Sequence, residues 1–374
     1  MKSSKMVEFA YEELEAATDH FSPSRLIGKG SHGRVYRGIL NGGKLVAVKL
    51  QSLGLRKLQD NSKLENEARI LSSLPQNSHL VNLVGTSHDR SKNKVLVIEH
   101  LPNGTLHDLL HAAETPPPPW PKRAQIALQV ARAVQFLHQS QFFVIHRDIK
   151  SANILFDSNW TAKLADFGLA VRRDEAGRGV ESLSRPAGTF GYLDPHYTTP
   201  CKLSPRNDVF SFGVVLLEII SGTKAIDVSR VSSSIVEWAL PLIEENRIVQ
   251  VCDKRVEMPW YMEGTIRRFL HIAARCVSPT EEHRRPSMAE IVAEMESCFV
   301  EPDRFPLWIN VLSKFSLLKR QRTRLTEIKR KKSAAASSTS TSTLTCAGDG
   351  DRQSDAFSRR KMLLREVLAD VTLE

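Results

Sequence analysis

Gly28, Gly30 and Gly33 lie in a Gly28-Lys29-Gly30-Ser31-His32-Gly33 turn, where missing side chains let the backbone approach phosphates closely. A glycine-rich hairpin with no ligand has the same spacing. The chain runs on as Val35-Tyr36-Arg37-Gly38-Ile39, a strand pattern, whereas a dinucleotide-binding turn needs a helix there. In Val46-Ala47-Val48-Lys49 the period of two puts Ala47 and Lys49 on one strand face, and a lysine on a half-buried face needs an anion. Leu64, Glu67, Leu71 and Leu74 share one face of the helical pattern that follows, so Glu67 sits in the apolar stripe, where a carboxylate is costly unless paired. Glu65 stands one turn before Arg69 on the outer face, where a solvated pair is worth roughly 0.2–0.5 kcal/mol. Glu67, not Glu65, is therefore the expected partner of Lys49. Farther on stand His146-Arg147-Asp148-Ile149-Lys150-Ser151-Ala152-Asn153 and Asp166-Phe167-Gly168. Each string is short enough to arise by chance, but the ordered set is not.

Two kinds of framework must carry these residues. Up to about residue 100, β-branched runs over 34–40, 45–50 and 94–99 surround one helical stretch near 64–74, which predicts a small strand-rich lobe. Phe9, Leu14, Ala17 and Phe21 lie near helical spacing ahead of it, a short amphipathic segment expected to pack on that lobe. Beyond the Asn103-Gly104 turn and a loop at 116–119 the pattern is helical. Ile126, Val130, Ala133, Val134 and Leu137 share a face, and 209–220 is apolar nearly all round, as a buried central helix would be.

The 374-residue chain is 41 % hydrophobic, enough for a substantial core. Its five cysteines, Cys201, Cys252, Cys276, Cys298 and Cys346, are scattered without paired spacing, which argues against a disulfide framework or a zinc site and fits a reducing cytosol. Met1-Lys2-Ser3-Ser4 opens neither a secretory signal nor a myristoylation site, and the apolar run 214–220 is too short to span a bilayer and contains Glu218. The net charge of +10 is concentrated in 314–332, with nine Lys/Arg against Glu327. That run reads first as a solvated tail, with nuclear targeting, nucleic acid or anionic lipid as alternatives. The Ser/Thr/Ala-rich stretch 333–345 cannot bury a core. The expected organisation is an amphipathic segment over 1–25, a two-lobed main domain over 26–300, a basic extension over 301–332 and a low-complexity flexible tail over 333–374. A cytoplasmic location is expected, with membrane-peripheral or nuclear placement left open by the basic run.

In this order the motifs resemble the eukaryotic protein kinases across roughly residues 26–297. Phe9-Ala10-Tyr11-Glu12-Glu13-Leu14, with Ala17-Thr18 and Phe21, looks like the pre-kinase segment of the plant receptor-like and receptor-like cytoplasmic serine/threonine kinases, the crinkly-related subgroup among them. Gly188-Thr189-Phe190-Gly191-Tyr192-Leu193-Asp194-Pro195, Asp208-Val209-Phe210-Ser211-Phe212-Gly213 and Arg285-Pro286-Ser287-Met288 carry the same likeness. The resemblance implies an α+β, bilobal eukaryotic protein kinase fold, with a small β-rich N-lobe holding one key helix and a large helical C-lobe. It implies transfer of the ATP γ-phosphate to Ser/Thr hydroxyls of protein substrates, with Mg²⁺, or Mn²⁺ in its place, and an upstream receptor kinase as a candidate partner.

By that resemblance Asp148 accepts the substrate hydroxyl proton, Asn153 and Asp166 hold the metal, and Lys49, fixed by Glu67, grips the α- and β-phosphates. Gly28, Gly30 and Gly33 cover the phosphates. Ile27, Val35 and Ala47 sandwich the adenine, Ile98 is the gatekeeper, and the Glu99 to Leu101 backbone binds the adenine edge. Lys150 contacts the γ-phosphate and Thr189 braces Asp148, a serine/threonine signature. Arg147, next to the catalytic base, marks control by activation-loop phosphorylation, since an unpaired arginine needs an anion, and the loop offers Ser182, Ser184 and Thr189.

One position departs from the family. His196 stands where a glutamate normally pairs with the arginine at Arg285, and an imidazole cannot replace a carboxylate facing guanidinium. Asp194 or a water-mediated contact is a candidate replacement; if neither serves, His196→Glu should restore a pair and raise stability or activity. Two other readings compete with an active kinase. One is a weakly active or pseudokinase scaffold, supported only by His196. The other is a nucleic-acid or anionic-membrane binder driven by 314–332.

Overall fold

The computed structural model of the protein describes residues 7–30, 33–51, 62–172, 186–197, 203–278 and 284–299. One compact unit spans Met1–Cys298; the other, Phe299–Glu374, lies outside the described residues apart from Phe299. The expected extension and tail over 301–332 and 333–374 fall there.

The N-terminal lobe is built on a six-stranded sheet in the order β1-β5-β6-β4-β3-β2. Its strands are β1 (Val7–Glu8), β2 (Leu26–Gly30), β3 (Gly33–Ile39), β4 (Leu45–Leu50), β5 (Leu83–His88) and β6 (Lys94–Glu99). All neighbours are antiparallel except β1 and β5. Alternation along β4 and β6 divides the lobe into two layers. Val46, Val48, Leu50, Val95 and Val97 face helix α1 (Tyr11–Ala17), where Leu14 is fully buried. Leu96 faces the opposite way, onto Leu64 and Ala68 of helix α2 (Ser62–Ser73).

The amphipathic segment thus packs on the lobe as its pattern predicts, and it also supplies the edge strand β1, which the sequence reading did not contain. Gly85 on β5 makes that docking sterically feasible: a Cβ there would lie 2.3 Å from the Val7 carbonyl oxygen and 2.6 Å from the Phe9 ring. Strand β5 was missed too, because Leu83-Val84-Gly85-Thr86-Ser87-His88 mixes small and polar residues and shows no clean alternation.

The C-terminal lobe is helical. Helices α3 (Leu106–His111), α4 (Trp120–Gln139), α5 (Pro205–Ser221), α6 (Ile235–Glu244), α7 (Ile248–Val251), α8 (Glu263–Val277) and α9 (Met288–Ser297) share one hydrophobic core. Helix α5 is buried at every position from Asn207 to Ser221, as a helix apolar all round must be. Ser204 and Asn207 form a capping box at its start, and Gly222 ends it in the left-handed conformation with φ of 65°. Two short antiparallel pairings join β7 (Val144–Ile145) to β10 (Val171–Arg172) and β8 (Ile154–Phe156) to β9 (Ala162–Leu164). The loops after β7 and β9 carry Asp148 and Asp166, so two short ribbons anchored on the core position both carboxylates.

Candidate active site

The glycine turn closes as a hairpin: Gly28 pairs with Val35 and Gly30 with Gly33, while Ser31 and His32 lie outside the described residues. A Cβ on Gly33 would sit 2.3 Å from the Leu50 carbonyl oxygen, so close passage of β3 over β4 requires glycine. In register, Lys49 lies between Val35 and Leu96, Ala47 lies opposite Ile98, and Glu99 lies opposite Val46. Val35, Ala47 and Ile98 therefore come together on neighbouring strands. Ile27 is half exposed at the β2 irregularity beside Gly28, and Leu101 is buried just past β6. The Glu99 carboxylate is held within the protein: Oε1 accepts from Asn82 N (2.8 Å), Asn82 Nδ2 (2.9 Å) and Lys163 Nζ (3.0 Å).

Lys49 Nζ donates to Glu67 Oε2 at 2.6 Å and to Asp166 Oδ1 at 2.9 Å. Burial opposes the charge on Lys49, but Asp166 and then Glu67 outweigh it and hold its pKa above the ordinary lysine value. Burial likewise pushes the Glu67 carboxyl upward, against the pull of Lys49. The face-sharing argument thus picked the right glutamate. It picked the wrong outer pair, however: Arg69 donates to Asn66 Oδ1 at 2.7 Å instead of meeting Glu65. The acceptor is an amide one position along the helix, in a bond that stays exposed.

Asp148 is held on three sides. Thr189 Oγ1 donates to its Oδ1 at 2.6 Å, Lys150 Nζ lies 2.8 Å from its Oδ2, and Asn153 Nδ2 donates to the same oxygen at 3.0 Å. Lys150 also donates to Thr189 Oγ1 at 2.8 Å, closing a small ring of bonds around the carboxylate. Asn153 Nδ2 further donates to the Asp148 carbonyl at 2.9 Å, so its Oδ1 faces the other way. A hard oxygen from Asn153 and the Asp166 carboxylate fit a divalent cation that completes its shell with phosphate oxygens. Both Arg147 and Asp166 take left-handed backbone, with φ of 70° and 66°, strain that the surrounding structure must hold in place.

The residues doing that holding were largely absent from the sequence reading. Asp208, at the buried start of α5, accepts from the backbone N–H groups of His146 (2.8 Å) and Arg147 (2.9 Å) and bonds His138 Nε2 (2.9 Å). Burial alone would raise its pKa, but the His138 bond and charge, with His146, hold the carboxyl below the ordinary value. His146 Nδ1 accepts from Asp148 N at 3.3 Å, which makes Nε2–H the donor to the Ala165 carbonyl at 3.2 Å. Burial holds this imidazole below the usual histidine pKa. On the same helix, the fully buried Glu218 accepts from Tyr192 OH (2.8 Å) and Ser151 Oγ (3.2 Å). The signal was available: Asp208 and Glu218 are carboxylates in an otherwise apolar helix, and the argument that found Glu67 applies to both.

Arg147 donates to the Leu169 carbonyl at 3.3 Å and lies over the Tyr197 ring at 5.8 Å; the loop expected to bring it an anion, with Ser182 and Ser184, lies outside the described residues over 173–185, while Thr189 lies at Asp148. One expectation changes, and it concerns Arg285. Its guanidinium binds Asp194 through both arms, Nη2 to Oδ1 at 3.1 Å and Nη1 to Oδ2, and stacks over Phe210 at 5.1 Å. Asp194 is thus the replacement anion, and the missing-partner argument for His196 is overturned.

Residues 21–295 match the family model of the protein kinase domain. The chain belongs to the protein kinase family. A serine/threonine-protein kinase-like protein of Arabidopsis thaliana is 48% identical over 339 residues, covering 86% of this chain and 96% of that relative. A second one from the same plant is 44% identical over 293 residues, 77% of this chain and 78% of the relative. A proline-rich receptor-like protein kinase of Arabidopsis is 41% identical over 301 residues, 79% of this chain but only 41% of that longer protein. The kinase is a serine/threonine protein kinase of the plant receptor-like kinase family, with a strand-rich N-lobe and a helical C-lobe. As in its family, the kinase acts on protein substrates and uses ATP with a divalent metal. Among the described residues no helix is long and apolar enough to cross a membrane.

Proposed function

We propose that the kinase moves the γ-phosphate of Mg-ATP to a Ser/Thr hydroxyl of a protein substrate, with Asp148 as proton acceptor and Lys150 at the transferring phosphoryl group. The observation that carries this reading is that Lys150, Asn153 and Thr189 each contact the Asp148 carboxylate at 2.6–3.0 Å, with Lys150 also bonded to Thr189 at 2.8 Å. The Lys150 ammonium and the Asn153 amide both face the Asp148 carboxylate. As the hydroxyl oxygen bonds phosphorus, its proton passes to Asp148 and the ADP oxygen leaves in line. Lys49, aligned by Glu67, balances charge on the α- and β-phosphates. Mg²⁺, held by Asn153 and Asp166, would neutralise charge on the β- and γ-phosphate oxygens.

The adenine would lie between Ile27, Val35 and Ala47, with Ile98 behind it and its polar edge on the Glu99 to Leu101 backbone. The domain is taken to span 26–300, the location to be cytoplasmic, and the upstream partner to be a receptor kinase; likeness over the kinase portion of a receptor-like protein supports the last. The scaffold reading rested on His196, and the Arg285–Asp194 pair removes that argument. Transfer of radiolabel from γ-labelled ATP to a generic protein substrate tests the proposal. Asp148→Asn should lower turnover about 10²–10⁴-fold with nucleotide affinity kept; undiminished turnover overturns the assignment.

A further inference from the structure

Four successive carbonyls follow Asp166, and two side chains gather all of them. Asn66 Nδ2 donates to Ala170 O at 2.8 Å, Gly168 O at 3.1 Å and Phe167 O at 3.3 Å. Arg147 Nη1 donates to the remaining one, Leu169 O, at 3.3 Å. An amide nitrogen carries two hydrogens, so one serves Ala170 and the other is shared between Phe167 and Gly168. The orientation of the amide is settled by its other end: Arg69 Nη2 lies 2.7 Å from Asn66 Oδ1, and a guanidinium offers no acceptor, so only the oxygen can face it.

Asn66 precedes Glu67 on α2, and the two residues bear on Asp166 through different groups. Glu67 reaches its side chain through Lys49, at 2.6 Å and then 2.9 Å. Asn66 holds the backbone just after it. The segment also lies beside α2: a Cβ on Gly168 would be in van der Waals contact with the Lys63 Cβ at 3.4 Å. Asp166 itself sits in strained left-handed backbone, which persists only where its surroundings over-determine it.

We infer that Asn66 is a positioning residue for phosphoryl transfer: its amide clamps 167–170 to α2 and thereby keeps the Asp166 carboxylate turned toward the metal and phosphates. The inference rests on the reading of Asp166 as a metal holder. Lys49 and Asn66 then act as two supports of one carboxylate, and α2 must be docked for either to work.

The test uses the full chain and three variants, Asn66→Ala, Asn66→Asp and Asp166→Asn. Rates of protein phosphorylation are followed against Mg²⁺ at saturating ATP, with hydrogen exchange of the 167–170 amides alongside. Asn66→Ala should raise the half-saturating Mg²⁺ concentration and lower kcat by roughly tenfold, the scale of one or two lost hydrogen bonds, with KM for the protein substrate unchanged. Asn66→Asp keeps the shape but turns an acceptor onto the three carbonyls that Asn66 gathers, so it should fall below Asn66→Ala. A role in packing alone gives the reverse order and overturns the inference, as does unaltered exchange in Asn66→Ala. Asp166→Asn examines the metal reading separately: if its Mg²⁺ requirement matches wild type while exchange rises in Asn66→Ala, the metal reading fails and the clamp stands.

Discussion

Arg285 and Asp194 form a two-armed ion pair with both side chains fully buried, in a chain whose usual glutamate partner has become His196. Asp194 Oδ2 also accepts from Asn207 Nδ2 at 2.9 Å, and its Oδ1 accepts from His196 N at 3.0 Å, so the carboxylate ties the loop before α5 to that helix. The imidazole has not replaced the carboxylate. An aspartate two residues earlier has, and the backbone of His196 helps to orient it.

His196→Glu is therefore expected to give no gain in melting temperature or kinase rate through Arg285. Asp194→Asn, which leaves a buried guanidinium without its counter-charge, should cost roughly 3–5 kcal/mol. Paired thermal melts and phosphorylation assays decide between them; a gain in His196→Glu that disappears in Arg285→Ala would contradict the pairing.

Lys49→Met and Glu67→Ala should each weaken productive nucleotide use, with the lysine variant worse because Lys49 also holds Asp166 at 2.9 Å. Their double mutant should lose less than the sum, by a coupling of about 0.5–3 kcal/mol for residues in direct contact. Additive losses in ATP-dependent rate would refute direct pairing.

Acid should weaken the fold in two stages. His146 is neutral when buried, yet the unfolded chain protonates it below about pH 6.5, so the unfolded state binds the extra proton and stability falls as pH drops through that value. Asp208 is depressed, so its contribution is present above about pH 3.9 and is lost as pH falls through its lower folded value. Denaturant melts at about pH 7.5 and about pH 5.5 should show the first loss, at most about 1.4 kcal/mol per pH unit for one histidine. His146→Asn should show a smaller fall between the two; an identical fall would assign the effect to other groups.

Leu14→Ala should destabilise the N-lobe by about 2–5 kcal/mol, since this side chain is fully buried against β3, β4 and β6 by the segment ahead of the glycine turn. Urea unfolding of the full chain measures it. A cost near zero would mean that the segment is a detachable appendage.

Local pattern carried much of this molecule. Period-two alternation at Val46-Ala47-Val48-Lys49 and the helical stripe through Leu64, Glu67 and Leu71 were enough to bring Lys49 and Glu67 together, because each periodicity says which way a side chain faces and a buried charge needs an opposite one. The order of the glycine turn, His146-Arg147-Asp148 and Asp166-Phe167-Gly168 was legible for the same reason: backbone approach to phosphate and oxygen ligation demand particular residue types. Tertiary structure alone decided which of several candidates closes each remaining contact. Arg285 meets Asp194 across 91 positions, Arg147 N–H meets Asp208 across 61, and Asn66 meets Phe167 across 101. Periodicity gives facing within one strand or one turn of helix, whereas a hydrogen bond is set by a separation of about 3 Å that only the packed elements determine.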